Sequence, residues 1–298
     1  MSTLTKSPLR VVREALAVAQ RRLRCYGHKF SPKKFTQPQL FACLVLKAFL
    51  KTDYRGLVAH LADNSDLRVT LGLRTVPHFT TPQKAGRRLL RQRVAKRLFR
   101  TTVRRFLQRR RRLQRAALDS TGLDCGRASR HYIRRRNGFT KQWQRVSYSR
   151  YAKLEAAFDC DSHLMVGVLA SRGPRPDTDR FVPLLDATLA NVGLDAALAD
   201  AGYDSEPNHR YARECCGVRS FIPATAGRPT AKLPSGRHRR RMKQRLNKAY
   251  GSYGQRSQAE CGFSMFKRRL GSAVNGRTYQ SQCRDLLLMA ITYNIMLR

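Results

Sequence analysis

Three acidic side chains stand where carboxylates can do chemistry: Asp119, Asp200 and Glu260. Asp119 closes the apolar run Ala116-Ala117-Leu118, Asp200 closes Leu198-Ala199, and Glu260 lies in a stretch patterned as a helix. A carboxylate at the carboxyl end of a strand in an α/β sheet faces the crevice where ligands bind. Carboxylate oxygens suit hard divalent cations, Mg2+ first and Mn2+ as a substitute. Two such ions can activate an attacking oxygen and stabilise a leaving one in phosphoryl transfer. The alternative is that each acid only neutralises nearby arginines, and for any one of them alone both readings stay open.

Acids are conspicuous because they are scarce. The 298 residues hold 60 Lys+Arg against 19 Asp+Glu, a net charge of +41. Such an excess implies a polyanionic partner, for which nucleic acid is the obvious chemistry. Arginine supplies 46 of the basic residues and lysine 14, and the planar guanidinium grips phosphate oxygens in pairs. At 42% hydrophobic residues the chain can bury a core, which argues against wholesale disorder. No apolar run is long enough for a membrane span, and the first residues lack the apolar centre of a signal peptide, so a cytoplasmic location is expected. The eight cysteines form no C-x-x-C and have no histidine pair at zinc-finger spacing, so reduced thiols rather than a zinc site are expected. No G-x4-G-K-S/T loop suggests ATP use.

The elements that must position the acids divide in two. Residues 1–112 carry 28 basic and 4 acidic residues and read as helical; residues 113–298 carry 32 and 15 and change period. In the first part, 8–25 shows a helical apolar stripe, Thr36 reads as an N-cap before Pro38, and 53–61 as a short helix. Residues 71–82 read as turns, and 83–112 as one long helix whose polar face carries 13 Arg or Lys from Arg87 to Arg112. In the second part, 114–123 reads as a strand entering a glycine turn. Residues 151–159 and 164–171 read as a hairpin, 180–192 as a helix, 196–200 as a strand, 206–216 as a helix and 218–222 as a last strand. That order predicts an α/β fold, a five-stranded mixed sheet with flanking helices, preceded by an α-helical basic domain. Residues 224–250 break the pattern as a basic insertion expected to be mobile alone; 257–270 and 280–297 read as helices.

Tyr253, Arg256, Glu260 and Lys267 are spaced by 3, 4 and 7 residues, so a helix presents all four near one face. In residue type and spacing this string resembles the Y-R-E-K signature of bacterial insertion-sequence DDE transposases. Leu118-Asp119-Ser120-Thr121 is similar to the first-Asp strand of that family, and Asp200-Ala201-Gly202-Tyr203-Asp204-Ser205 to its second-Asp motif. Gly173-Pro174-x2-Asp177, the leading segment with Pro77-His78-Phe79-Thr80-Thr81, and Tyr293-Asn294 in the last helix agree with it, and the motifs fall in order at gaps of 81 and 60 residues.

The resemblance implies a ribonuclease-H-like catalytic core (113–298) behind an N-terminal DNA-binding domain (1–112). It implies Asp119, Asp200 and Glu260 as catalytic residues holding two Mg2+ ions, with Tyr253, Arg256 and Lys267 holding the DNA end. The expected reaction is metal-dependent cleavage at the ends of a mobile element, then joining of the freed 3′ ends to target DNA. The expected partner is double-stranded DNA, gripped by a dimer in the nucleoid. A ribonuclease-H-like nuclease without strand transfer, a non-catalytic descendant that only binds DNA, and an RNA-packaging protein are the other readings; the last explains the charge but not the motifs. Among further acids, Asp124, Asp159, Asp161, Asp204 and Glu206 sit near the motifs but suit turn or cap roles equally, and Asp177 can approach the site from a loop. Trp143, in a basic stretch, suits either stacking on an unpaired base or a core role.

Overall fold

A computed structural model of the chain describes residues 4–125, 151–224, 233–246 and 253–297. Trp143 and part of the basic insertion lie outside the described residues.

The leading helices start where local chemistry satisfies free backbone N–H groups. Helix α1, Pro8–Gln20, is capped by Ser7 and has Pro8 at its first position. Thr36 caps helix α2, Gln37–Phe49, as the Thr36-Gln37-Pro38 string predicts, and Gln39 completes a reciprocal capping box. Asp53 caps α3, Tyr54–Asp63, and Asn64 caps α4, Ser65–Leu71, a helix that lies just ahead of the segment read as turns. The long helix expected over 83–112 is two: α5, Thr80–Leu89, and α6, Gln92–Leu107. The break falls at Leu90 and Arg91, and Leu89 and Leu90 are both buried.

The sheet has five strands in the order β3-β2-β1-β4-β5, with a two-residue sixth, β6 (Ala273–Val274), beside the end of β1. Strands β1 (Arg112–Cys125), β2 (Tyr151–Asp159) and β3 (Met165–Gly173) are antiparallel neighbours. Strands β4 (Gly193–Ala199) and β5 (Arg219–Phe221) run parallel to β1 on its other side. Helix α7, Phe181–Leu189, provides the crossover from β3 to β4. Helix α8, Glu206–Arg210, continues as a wider π turn, Tyr211–Cys215, before β5. The mixed sheet with flanking helices is the expected architecture, except that β1 does not end at a glycine turn. Gly122 lies inside it, opposite Lys153 of β2.

Within the basic insertion, Arg237–Arg245 forms helix α9. It is docked rather than loose. Glu206 accepts hydrogen bonds from the backbone N–H of His238 and Arg239, both at 3.0 Å, and Arg239 grips Asp204 with its Nη2 at 2.8 Å. Gly236 makes the approach possible: its φ is +98°, and a Cβ there would meet Glu206 Oε2 at 2.3 Å. Glu206 therefore caps α9, as the cap reading suggests, whereas the Asp204 side chain holds an ion pair with Arg239.

Helix α10, Ser257–Leu270, packs on β1 and β2, and α11, Tyr279–Met296, is buried on nearly every side. Helix α11 touches α1, α2 and α6 as well as β2 and β3, so the helical part and the sheet share one core. Asn294 shows how. Its Oδ1 accepts from the Met165 N–H of β3, and its Nδ2 donates to Met165 O at 2.8 Å and Thr102 Oγ1 of α6 at 3.1 Å. A buried amide so fully partnered fixes the helical part against the sheet.

Candidate active site

Register brings the two aspartates together. Leu118 and Ala199 are the last paired residues of β1 and β4, and Asp119 and Asp200 are the next residue of each. Neighbouring strands lie about 5 Å apart, so two carboxylates emerge side by side where β4 stops. Asp200 is at the true end of its strand, whereas Asp119 is mid-strand, because β1 runs on beside β2 and β6. Each carboxylate accepts a 2.7 Å hydrogen bond from the next backbone N–H, Ser120 for Asp119 and Ala201 for Asp200.

The third acid arrives on α10. Gly262 seats this helix: a Cβ there would meet the Phe158 ring of β2 at 2.5 Å, so only glycine lets the helix lie this close. The segment ahead of it, Gly254–Arg256, is a 3-10 turn, so Tyr253 and Arg256 precede the helix rather than belong to it. The Tyr253 hydroxyl donates to the Ala199 carbonyl at 3.4 Å, placing the ring beside Asp200. Arg256 Nη2 donates to Glu260 Oε1, and the same guanidinium acts electrostatically on Asp119 and Asp200. Arg256 is thus the cation at which all three acids meet. Lys267 lies seven residues beyond Glu260 on the same helix, about 10 Å along its axis, and does not join this group.

Burial pushes the Asp119 carboxyl up to about 6. The Ser120 N–H and Arg256 oppose the rise, and the neighbouring charges of Asp200 and Asp177 add to it. A half-buried carboxylate crowded by two others is one whose charge a cation would relieve. The donor set is all oxygen, as Mg2+ or Mn2+ would require. Among the described residues no three His, Cys, Asp or Glu side chains converge closely enough to hold a metal ion in this conformation, and the Glu260 carboxylate is turned to Arg256. The donors fit the ion in type, and Glu260 must leave Arg256 to complete the set.

Three groups belong to this site that the motif reading does not weigh as a unit: Ser120, Lys153 and Asp177. Asp177 does approach from its loop, and its Oδ1 accepts from Ser120 Oγ at 3.0 Å and Lys153 Nζ at 2.6 Å. The signal for Lys153 is in the strand itself, since Tyr-Ala-Lys-Leu-Glu-Ala-Ala-Phe carries two charges in an otherwise apolar run. Both are buried, Lys153 on Asp177 and Glu155 on Arg180 at 3.1 Å. Two of the other acids make structural contacts. Asp159 accepts from Ser162 Oγ at 2.5 Å, and Asp161 pairs with Arg110 at 2.9 Å.

A mixed sheet of this order with flanking helices fits the ribonuclease-H-like architecture of a transposase domain. The family described as transposase DDE domain matches residues 110–295, more than half of the chain, and the chain belongs to it. A transposase domain implies a DNA partner, and the charge of +41 suits a polyanion. No curated protein matches the chain. No helix among the described residues is long and apolar enough to cross a membrane.

Proposed function

We propose that the chain is the transposase of a bacterial insertion sequence, cutting DNA at the element's ends and joining the freed 3′ ends to target DNA. The observation that carries this reading is the register of β1 and β4, which sets Asp119 beside Asp200, with Arg256 linking that pair to Glu260 of α10. These three carboxylates would hold two Mg2+ ions, or Mn2+, and the ions would supply an activated attacking oxygen and charge neutralisation at the scissile phosphate.

The chain's own residues have separate tasks. Asp119 and Asp200 are presented by strands whose pairing is fixed, so their backbones are preorganised. Arg256 neutralises the carboxylate cluster in the free protein. When DNA enters, a phosphate oxygen can replace Glu260 as its partner, which releases Glu260 toward the aspartates. Tyr253, held against Ala199, closes the same side of the cleft. Lys267, two turns on, suits the DNA flank rather than the reacting phosphate.

The wider grip is cationic. On α6, Arg93, Lys96, Arg97 and Arg104 are exposed, while Arg105 is spent on Glu14 at 2.5 Å. Residues 1–112 would serve as the DNA-binding part, with α9 as a second basic surface tied to the Asp200 turn through Asp204. Cutting two ends in concert calls for a dimer on DNA, and such a protein would work at the nucleoid.

The test is incubation of the purified chain with Mg2+ and the DNA flanking its own gene, followed by mapping of nicks and strand transfer with pre-cleaved ends. Nicks at element ends with joining support the reading. Nicks without joining identify a nuclease, and binding without nicks a DNA-binding descendant.

A further inference from the structure

The chain leaves β3 at Gly173 and crosses residues 174–178 on its way to α7. This short crossing is bonded to both aspartate supports. Asp177 accepts from Ser120 Oγ at 3.0 Å, and Ser120 is the residue whose N–H holds the Asp119 carboxylate. Thr178 donates its Oγ1 to the Gly202 carbonyl at 2.9 Å, and Gly202 lies in the turn Ala201–Tyr203 whose first N–H holds the Asp200 carboxylate. Asn208 closes the second side, its Nδ2 donating to the carbonyls of Thr178 and Tyr203, each at 2.9 Å.

Lys153 pins the crossing in place. Its side chain is 5% exposed, and its ammonium donates to Asp177 Oδ1 at 2.6 Å and to the Arg175 carbonyl at 2.8 Å. An ammonium so deeply buried requires a counter-charge, so Lys153 dictates where Asp177 sits. The anchors are specific: the brace bonds the Ser120 hydroxyl, directly after Asp119, and the Gly202 carbonyl, two residues after Asp200.

We infer that residues 175–178 form a brace that sets the separation of Asp119 and Asp200, with Asp177, Thr178 and Lys153 as positioning residues. The inference rests on the proposed role of the two aspartates as metal-holding groups. Outer partners of metal ligands tune affinity by orienting them, and their loss typically lowers it about 10–100-fold.

The test uses the full chain, with Mn2+ binding followed by electron paramagnetic resonance and DNA affinity and thermal melting measured beside it. Thr178→Val removes the hydroxyl but keeps the shape of a half-exposed side chain. It should weaken Mn2+ binding by about tenfold or more with DNA affinity and melting unchanged, and Thr178→Ser should restore it. Lys153→Met should shift Mn2+ affinity the same way; should it fail to fold, the Thr178 pair decides alone. A Thr178→Val protein that binds Mn2+ like the wild type, while Asp119→Asn does not, overturns the brace and leaves the metal reading standing. Tighter binding in Lys153→Met makes Asp177 a ligand and also overturns it. Wild-type protein that takes up no Mn2+, or takes it up equally after Asp119→Asn, overturns the metal reading and the brace together.

Discussion

Asp119 and Asp200 share a register position: Leu118 pairs with Ala199, and each aspartate is the residue that follows. Their proximity is therefore a property of backbone pairing, not of side-chain rotamers. Replacing either carboxylate should leave the sheet intact and remove only its oxygen ligand. Asp119→Asn, Asp200→Asn and Glu260→Gln should each abolish Mg2+-dependent cleavage of element-end DNA, with binding in gel shifts nearly unchanged. Substantial cutting by any one of them would strip that residue of its role.

Much of this arrangement is legible in the residues. The scarcity of acids singles out Asp119 and Asp200, apolar runs before them mark strands, and Thr36 and Pro38 announce α2. What the sequence hides depends on partners far along the chain. The continuation of β1 past Gly122 requires β2 and β6 as neighbours, which no local pattern encodes. No Gly or Pro stands at the break between α5 and α6 to announce it, and the residues beside it, Leu89 and Leu90, pack into a core shared with distant elements. The docking of α9 depends on Asp204 and Glu206, over thirty positions away from Arg239 and His238. Asp177 is suggested as a loop acid, but its pairing with Lys153 is a tertiary fact.

Asp119 also predicts a trade between stability and function. Burial pushes its carboxyl up to about 6 in the fold, against about 3.9 in an unfolded chain. The folded state thus binds more protons between those values, and stability falls as pH rises from about 4 through about 6. Asp119→Asn should stabilise the metal-free protein by about 2–3 kcal/mol at pH 7.5 and hardly at all near pH 4. Denaturant titrations at the two pH values check this, and an equal effect at both would refute the burial argument.

His209 works in the opposite sense. It is fully buried, its Nδ1 is 2.7 Å from Ser220 Oγ, and burial pushes its pKa down to about 4. Asp204 and Glu206 oppose that shift, while Arg213 and His238 add to it. An unfolded histidine titrates near about 6.5, so the unfolded state binds more protons between about 4 and 6.5 and stability falls as pH drops through that window. The loss at full protonation is about 3 kcal/mol. His209→Gln should flatten the acid limb of the stability curve between pH 6.5 and 4, and an unchanged slope would remove His209 from it.

Binding to DNA should weaken steeply with salt, because the exposed cations of α6 and α9 have phosphate as their natural partner. Six to ten phosphate contacts would give a slope of about −5 to −9 in log K against log [salt], and a loss of about 10³–10⁵ between 50 and 200 mM. Charge reversal at Arg93 and Arg97 should lower that slope by roughly one per contact removed. Fluorescence anisotropy on duplex DNA measures it, and a nearly flat dependence would remove the phosphate grip.

The packing of α10 offers the last prediction, since it separates the position of Glu260 from its chemistry. Gly262 lies against Phe158, whose ring in turn stacks edge-on to Phe263 at 4.9 Å and Tyr293 at 6.2 Å. Gly262→Val puts branched carbon where only 2.5 Å is free, so the helix must move outward or the aromatic cluster must give. Overpacking of this kind costs about 1–3 kcal/mol. A displacement of even about 1 Å at a catalytic group can cost a hundredfold in rate. The variant should therefore keep all three carboxylates and its DNA affinity, melt lower than the wild type, and cleave far more slowly. Raising Mn2+ should not restore the rate if Glu260 has been carried away from the aspartates. Full cleavage by a folded Gly262→Val protein would show that Glu260 does not depend on this close packing to reach the site.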